Sequence, residues 1–244
     1  MSYGDVEQSS NPYASFGMVA ADAGVDARAD FIRKTYLHLA GAVLAFVALS
    51  AVVQMVVPAN MMLAMFSSPW SWLIVLGAFM AVSMIASSWA SSAVSPGKQY
   101  AGLGLYVVAE SIIFAPLLYM ASHHGPDNLL LVAGGITLAL FGVLTAIVWV
   151  TGADFSFMRS FLMFAGFAAM GYIVVSMFVP GLGIGLIFTV LMILLMCGYI
   201  LYDTSNVMHH YHIGQHVAAA LALFASLATL FWYVIQLVWE LQGD

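Results

Sequence analysis

Apolar runs alternate with short polar breaks along most of this chain, from about residue 34 to the end. The runs lie at about 34–57, 70–91, 100–121, 129–150, 156–179, 183–202 and 216–238. Their lengths are close to the roughly 20 residues with which a helix crosses about 30 Å of hydrocarbon. Because a bilayer offers no water to backbone N–H and C=O groups, such runs must be helical. The pattern predicts an all-α integral membrane protein, a bundle of seven transmembrane helices, here called spans 1 to 7.

The first thirty residues show no apolar period; they contain the stretch Ser9-Ser10-Asn11-Pro12 and several scattered aspartates. Segments of low hydrophobicity and high charge bury too little apolar surface to fold by themselves. We therefore predict a flexible cytoplasmic tail over residues 1–30 and a seven-helix membrane domain over residues 31–244.

The composition supports a membrane location, since 64% of the 244 residues are hydrophobic and only 7% are charged. A soluble domain has about 25% charged residues, because it needs a hydrated exterior. Five Lys and Arg residues stand against eleven Asp and Glu residues. This balance excludes a basic surface for nucleic acid, which would have to neutralise many phosphates. The lipid bilayer is therefore the expected environment.

The basic residues indicate the orientation of the bundle. All of them fall on one side of the predicted topology: Arg28, Arg33, Lys34, Lys98 and Arg159. Cytoplasmic segments of membrane proteins carry an excess of Lys and Arg. The N-terminus is therefore expected in the cytoplasm and the C-terminus on the opposite side.

Two acids in or beside the apolar runs are the main candidates for chemistry. Glu110 lies about ten residues into span 3, where an ionisable side chain costs about 2.5–3.5 kcal/mol on insertion scales. It could coordinate a proton or a cation, or form a helix-to-helix hydrogen bond. Asp203 follows the predicted end of span 6, where the helix terminus carries partial negative charge. It is either a solvated carboxylate or a group kept there for a partner or a proton.

Four histidines crowd the link between spans 6 and 7, namely His209, His210, His212 and His216. A solvated loop and a pH-responsive loop are both compatible with this spacing. No Cys or acid cluster completes a zinc ligand set, so no metal site is predicted.

Serines recur every fourth residue on span 2, at Ser83, Ser87 and Ser91. Small residues at this spacing let neighbouring helices approach closely, and a polar conduit is the alternative interpretation. The chain lacks the His-Glu-x-x-His motif of zinc proteases, the Gly-x-Ser-x-Gly elbow and a Walker loop. An enzyme is therefore not predicted.

Five stretches together resemble the Bax inhibitor family, in its bacterial YccA-like branch. They are Phe31-Ile32-Arg33-Lys34-Thr35-Tyr36, Ala109-Glu110-Ser111 through Ala115-Pro116-Leu117, Asp154-Phe155-Ser156-Phe157, Leu201-Tyr202-Asp203-Thr204-Ser205-Asn206 and Ala219-Ala220-Leu221-Ala222-Leu223-Phe224. They follow one another in order from about residue 31 to the end of the chain.

The resemblance implies a seven-helix protein of an inner or organelle membrane. Some members are pH-sensitive calcium leaks, animal relatives suppress cell death, and YccA-like members restrain a membrane-anchored AAA protease. In the calcium leaks, an aspartate on the sixth helix pairs with one on the seventh, and protonation switches the pore. Asp203 matches the first aspartate, whereas Ser226 stands at the second position. Span 2 also has no arginine to hold Asp203 in a closed state.

The leading hypothesis is therefore a multipass inner-membrane regulator that modulates a membrane-anchored AAA protease in membrane-protein quality control. The alternative is a pH-sensitive calcium leak with Glu110 and Asp203 as pore or sensor acids and Ser226 as the partner of Asp203. No cofactor is expected, apart from Ca²⁺ as a conducted or bound ion.

Overall fold

The computed structural model describes residues 18–93, 95–179, 181–183 and 185–242. Its helices are α1 (Val25–Val56), α2 (Ala59–Ala64), α3 (Pro69–Ala90), α4 (Pro96–His124), α5 (Leu129–Thr151), α6 (Arg159–Ser176), α7 (Leu186–His209) and α8 (His216–Gln242). All but the six-residue α2 are long and apolar enough to cross a membrane, which gives seven spans. The predicted all-α bundle of seven transmembrane helices is confirmed, with spans 2 to 7 corresponding to α3 to α8.

Local sequence explains several helix ends. Ser68 and Ser95 are N-cap residues whose Oγ atoms accept hydrogen bonds from the Ser71 and Lys98 backbone N–H groups, at 3.1 and 3.4 Å. A proline follows each of these serines in the first turn, where its missing N–H costs nothing. Gly152 ends α5 with a φ of 60°, a left-handed conformation that glycine adopts readily.

The helices α4 and α8 form the centre of the bundle, because they are the most buried spans, whereas α6 is the least buried. The helix α8 packs against α1, α3, α4, α5 and α7. Gly102 allows α3 and α4 to pack closely, since a Cβ atom there would lie 2.5 Å from the Ala86 carbonyl oxygen and the Ala90 nitrogen. The close approach fixes the wall that α3 and α4 share.

The predicted tail, 1–30, divides at the boundary of the described residues, and 1–17 lie outside them. The described part of the predicted tail, 18–30, is not a flexible tail in this structure. Val19 forms an antiparallel bridge with His212, and the Ala20 N–H donates to the Tyr211 carbonyl oxygen at 2.8 Å. Ala20 is fully buried, and α1 begins at Val25. The segment before α1 is therefore bound to the α7–α8 link.

The prediction that span 6 ends at residue 202 is wrong, because α7 continues to His209. Asp203 lies within the helix, more than one turn before its end, and not at a helix terminus. The next two residues, Thr204 and Ser205, are fully buried. Tertiary packing therefore carries the helix through a polar stretch that resembles a helix end in sequence.

Candidate functional site

Asp203 opens into a cavity of about 630 Å³ between α3, α4, α7 and α8, here called the Asp203 cavity. Its wall is formed by Ser83, Met84, Ser87, Ala90, Ser91, Tyr106, Tyr199, Asp203, Tyr211, Ala218, Leu221, Ala222, Ala225 and Ser226. Serine and tyrosine residues from α3, α4, α7, the α7–α8 link and α8 thus surround the same space as one carboxylate. Hard cations such as Ca²⁺ take oxygen ligands of this kind.

Asp203 and Ser226 are in direct contact. The Ser226 Oγ donates a hydrogen bond of 2.5 Å to Asp203 Oδ2, and Ser226 is 5% exposed. A hydrogen-bond donor thus stands at the position where the resemblance implies a second carboxylate. A serine hydroxyl can stabilise the charge on Asp203, but it cannot share a proton as a second carboxylate would.

The serine stripe of α3 faces this cavity. Ser83, Ser87 and Ser91 all line it, and the buried Ser83 Oγ has no hydrogen-bond partner among the described residues. Spacing alone could not distinguish a packing stripe from the wall of a polar space. The three serines line the same cavity as Asp203, which supports the interpretation of the stripe as the wall of a polar conduit.

Glu110 lies in a different cavity, of about 390 Å³, here called the Glu110 cavity. Glu110 itself lies halfway along α4 and is 3% exposed. The wall is mostly aromatic and aliphatic: Phe66, Trp72, Leu76, Phe79, Ile113, Phe114, Leu117, Met170, Ile173, Thr229, Trp232, Tyr233 and Gln236. Glu110 has no hydrogen-bond partner among the described residues. Sequence reasoning singled out this acid but could not identify the aromatic groups around it.

Two rings in contact, one from the lining of each cavity, and a third ring packed against them are here called the aromatic layer. Phe79, which lines the Glu110 cavity, packs edge to face on Tyr106, which lines the Asp203 cavity, with ring centroids 5.9 Å apart. Phe224 packs against Tyr106 at 6.1 Å. The two predicted pore acids thus do not share one cavity in this structure.

The four histidines of the α7–α8 link do not converge. His209 Nδ1 lies 3.0 Å from the Ser205 carbonyl oxygen, and His212 Nδ1 lies 3.3 Å from Gln215 Oε1. The His216 ring centroid is 4.9 Å from that of His38 on α1. Within the described residues, no three His, Cys, Asp or Glu side chains are placed to hold a metal ion.

His210 instead contacts Asp154, in the connection between α5 and α6. Its Nε2 lies 3.2 Å from Asp154 Oδ2, and the Ser205 Oγ donates to Asp154 Oδ1 at 3.3 Å. The Ser156 backbone N–H donates to the same oxygen at 2.9 Å. This N–H, and to a smaller extent His210, lowers the pKa of Asp154 to about 2. The acid of the Asp154-Phe155-Ser156-Phe157 stretch therefore links the α5–α6 connection to the end of α7.

Comparison with known proteins places these features in a family. The sequence profile described as "Inhibitor of apoptosis-promoting Bax1" matches residues 28–243. Bax inhibitor 1 of Schizosaccharomyces pombe is 28% identical over 148 residues, which cover 60% of this chain and 54% of that protein. Protein LIFEGUARD 4 of Arabidopsis thaliana is 30% identical over 162 residues, covering 54% of this chain and 66% of the plant protein.

The matches to these two proteins thus span less than two thirds of their length. The profile match, by contrast, includes all seven membrane-spanning helices apart from the first three residues of α1. It also includes Glu110, Asp203 and Ser226. This chain belongs to the Bax inhibitor family.

Proposed function

We propose that this protein is a cation conduit whose ion-binding site is the Asp203 cavity. The observation that carries the proposal is the hydrogen-bonded Asp203–Ser226 pair inside a space lined by serine and tyrosine hydroxyls. Intramembrane acids that face a cavity mark ion and proton pathways in membrane proteins. Ca²⁺ fits the lining best, because the polar groups that face the cavity are oxygen donors.

The Glu110 cavity is the second half of the proposed path. The helices α3, α4 and α8 line both cavities, and α8 contributes 218–226 to one and 229–236 to the other. The two spaces therefore follow one another along the bundle, with the aromatic layer between them. Apolar constrictions of this kind can gate a pore by excluding water, so the described conformation is a closed one.

The Asp203 cavity lies near the end of the bundle that carries the basic residues, here called the basic end. The helices α1, α4 and α6 begin at this end, and Tyr211 of the α7–α8 link lines the cavity. Positive residues favour the cytoplasmic face. The proposed path therefore has Asp203 on the cytoplasmic side of an inner, or plasma, membrane.

Flux into dye-loaded liposomes tests this proposal. The purified protein is reconstituted, Ca²⁺ is added outside, and the entry rate is followed at acidic and neutral pH. We expect flux above that of empty liposomes, abolished in Asp203→Asn and retained in Asp127→Asn, a matched change in the exposed α4–α5 connection. Flux equal to that of empty liposomes at every pH would contradict the conduit.

A second proposal is the regulation of a membrane-anchored AAA protease in quality control. The observation that favours it is the bridge of Val19 to His212, which anchors the N-terminal segment at the basic end. Val19 is thus held at the face where a cytoplasmic protease domain would lie. Deleting residues 1–17 should change the turnover of a membrane-protein substrate in cells, and unchanged turnover would count against this role.

A further inference from the structure

We propose that the Glu110 cavity is a binding site for a lipophilic organic ammonium ion. The Glu110 side chain is 3% exposed, lines the cavity and has no hydrogen-bond partner among the described residues. A buried ionised carboxylate is costly unless a charge or a donor compensates it. A bound cation supplies both, through its charge and its N–H groups.

The aromatic wall defines the chemical class of the ligand. Phe114 and Trp232 meet edge to face with centroids 5.0 Å apart, and Trp72 stacks on Trp232 at 6.1 Å. All three rings line the cavity together with Glu110. Aromatic faces attract ammonium groups, and tryptophan does so most strongly. The combination of several rings and one carboxylate is therefore suited to an ammonium ion attached to an apolar body.

A hydrated divalent ion fits this space less well than it fits the Asp203 cavity. Glu110 is the single carboxylate of the lining, and the other side-chain oxygens are those of Thr229, Tyr233 and Gln236. Ca²⁺ takes six to eight oxygen ligands, which this lining cannot offer from its side chains. An organic ammonium ion is weakly hydrated by comparison and gains apolar contacts as it leaves water.

The size of the cavity limits the ligand further. A volume of about 390 Å³ lies at the lower end of the roughly 300–1,000 Å³ typical of small-molecule pockets. It accommodates one aromatic ring with a short aminoalkyl chain. The site does not depend on conduction, because occupancy requires only the cavity and the acid.

Calorimetric titration of the full-length protein in nanodiscs tests the proposal with 4-phenylbutylammonium as the probe. The neutral 4-phenylbutan-1-ol has the same apolar body and reports partition into lipid and unspecific binding. We expect saturable binding of the amine to the wild type and to Glu240→Gln, a matched change near the end of α8. Glu110→Gln should bind the amine at least tenfold more weakly, whereas the alcohol should not distinguish these proteins.

Trp232→Leu is the second variant, and it should weaken binding of the amine more than binding of the alcohol. Equal affinity of the wild type and Glu110→Gln for the amine would overturn the proposal. Absence of saturable binding to the wild type would overturn it as well. Neither result depends on calcium flux, so the site and the conduit can fail separately.

Discussion

The partly buried Asp203 and the buried Glu110 lie in adjoining cavities of the same bundle, and their surroundings differ. Asp203 accepts a hydrogen bond from Ser226 and shares its cavity with the serines of α3 and with Tyr106 and Tyr211. Glu110 has no such partner among the described residues and faces aromatic rings. The helices α3, α4 and α8 build both walls. A few helical turns along the same three helices thus separate the proposed site for a hard cation from the proposed site for an organic one.

The difference arises from which residues occupy corresponding faces of the shared helices. Towards the basic end, α3 presents Ser83, Ser87 and Ser91, whereas nearer its start it presents Trp72 and Phe79. Hydroxyls can replace part of an ion's hydration shell, whereas aromatic faces can only attract an ion that is already weakly hydrated. The aromatic layer keeps the two environments apart.

The largest expected effect comes from removing the central ring of that layer. Tyr106→Ala takes away a 6% exposed side chain between Phe79 and Phe224. Large-to-small changes of this kind cost about 3–5 kcal/mol of unfolding free energy. Tyr106→Ala would also join the two cavities, so the calcium flux of the folded fraction should rise above that of the wild type. Tyr106→Phe keeps the ring, so the two cavities should stay separate and its flux should not rise above that of the wild type.

A smaller loss is expected where α3 and α4 pack most closely. In Gly102→Ala the new methyl group would meet the backbone of α3 at 2.5 Å, which forces the helices that line both cavities apart. Such overpacking costs about 1–3 kcal/mol. Gly104→Ala on the same helix has no atom within 4 Å of the new Cβ and serves as the control. Equal thermal stability of the two variants would show that this close contact does not hold the wall.

Ser226→Ala tests whether the hydrogen bond to Asp203 distinguishes the two acids. The change leaves a carboxylate without its 2.5 Å donor, which costs about 1–2 kcal/mol. Glu110→Gln loses no described hydrogen bond and should not lower the free energy of unfolding. Chemical unfolding of both variants gives the two values. A smaller loss for Ser226→Ala than for Glu110→Gln would contradict the contrast between the cavities.

The smallest effect concerns the surface pair outside both cavities. The folded-state pKa of Asp154 is about 2, below its ordinary value of 3.8. Its ionised form therefore stabilises the fold above about pH 4, and this contribution is lost as the pH falls towards 2. Because the pair is about half exposed, solvent screening limits its value to less than about 1 kcal/mol.

Asp154→Asn should consequently unfold at a lower temperature than the wild type at pH 6, and the difference should shrink at pH 3. Thermal unfolding at the two pH values measures it. Asp127→Asn serves as the control. A difference that grows on acidification would have the wrong sign for this pair.

The seven spans could be predicted because hydropathy depends on each run alone. The end of α7 could not, because Tyr202-Asp203-Thr204-Ser205 is polar enough to resemble a helix end. It stays helical since Thr204 and Ser205 are buried and Ser205 also donates to Asp154. Ser205 and Asp154 are 51 residues apart in the sequence, so no local sequence pattern reveals their contact.

The candidate acids were also visible in the sequence, because charges are rare in these runs. Their separation into two cavities was not visible, since it depends on which faces of α3, α4 and α8 meet. The serine stripe was a usable signal, and its four-residue spacing correctly placed three hydroxyls on one face. Tyr106 gave no signal, because an aromatic residue in a membrane helix is ordinary.

The central claim is that the Asp203 cavity binds the ion and that the aromatic layer closes the path to Glu110. Calcium entry into dye-loaded proteoliposomes, compared for the wild type, Asp203→Asn and Tyr106→Ala, tests it most directly. We expect a slow leak for the wild type, none for Asp203→Asn and a faster leak for Tyr106→Ala. A leak in Asp203→Asn as fast as in the wild type would contradict it.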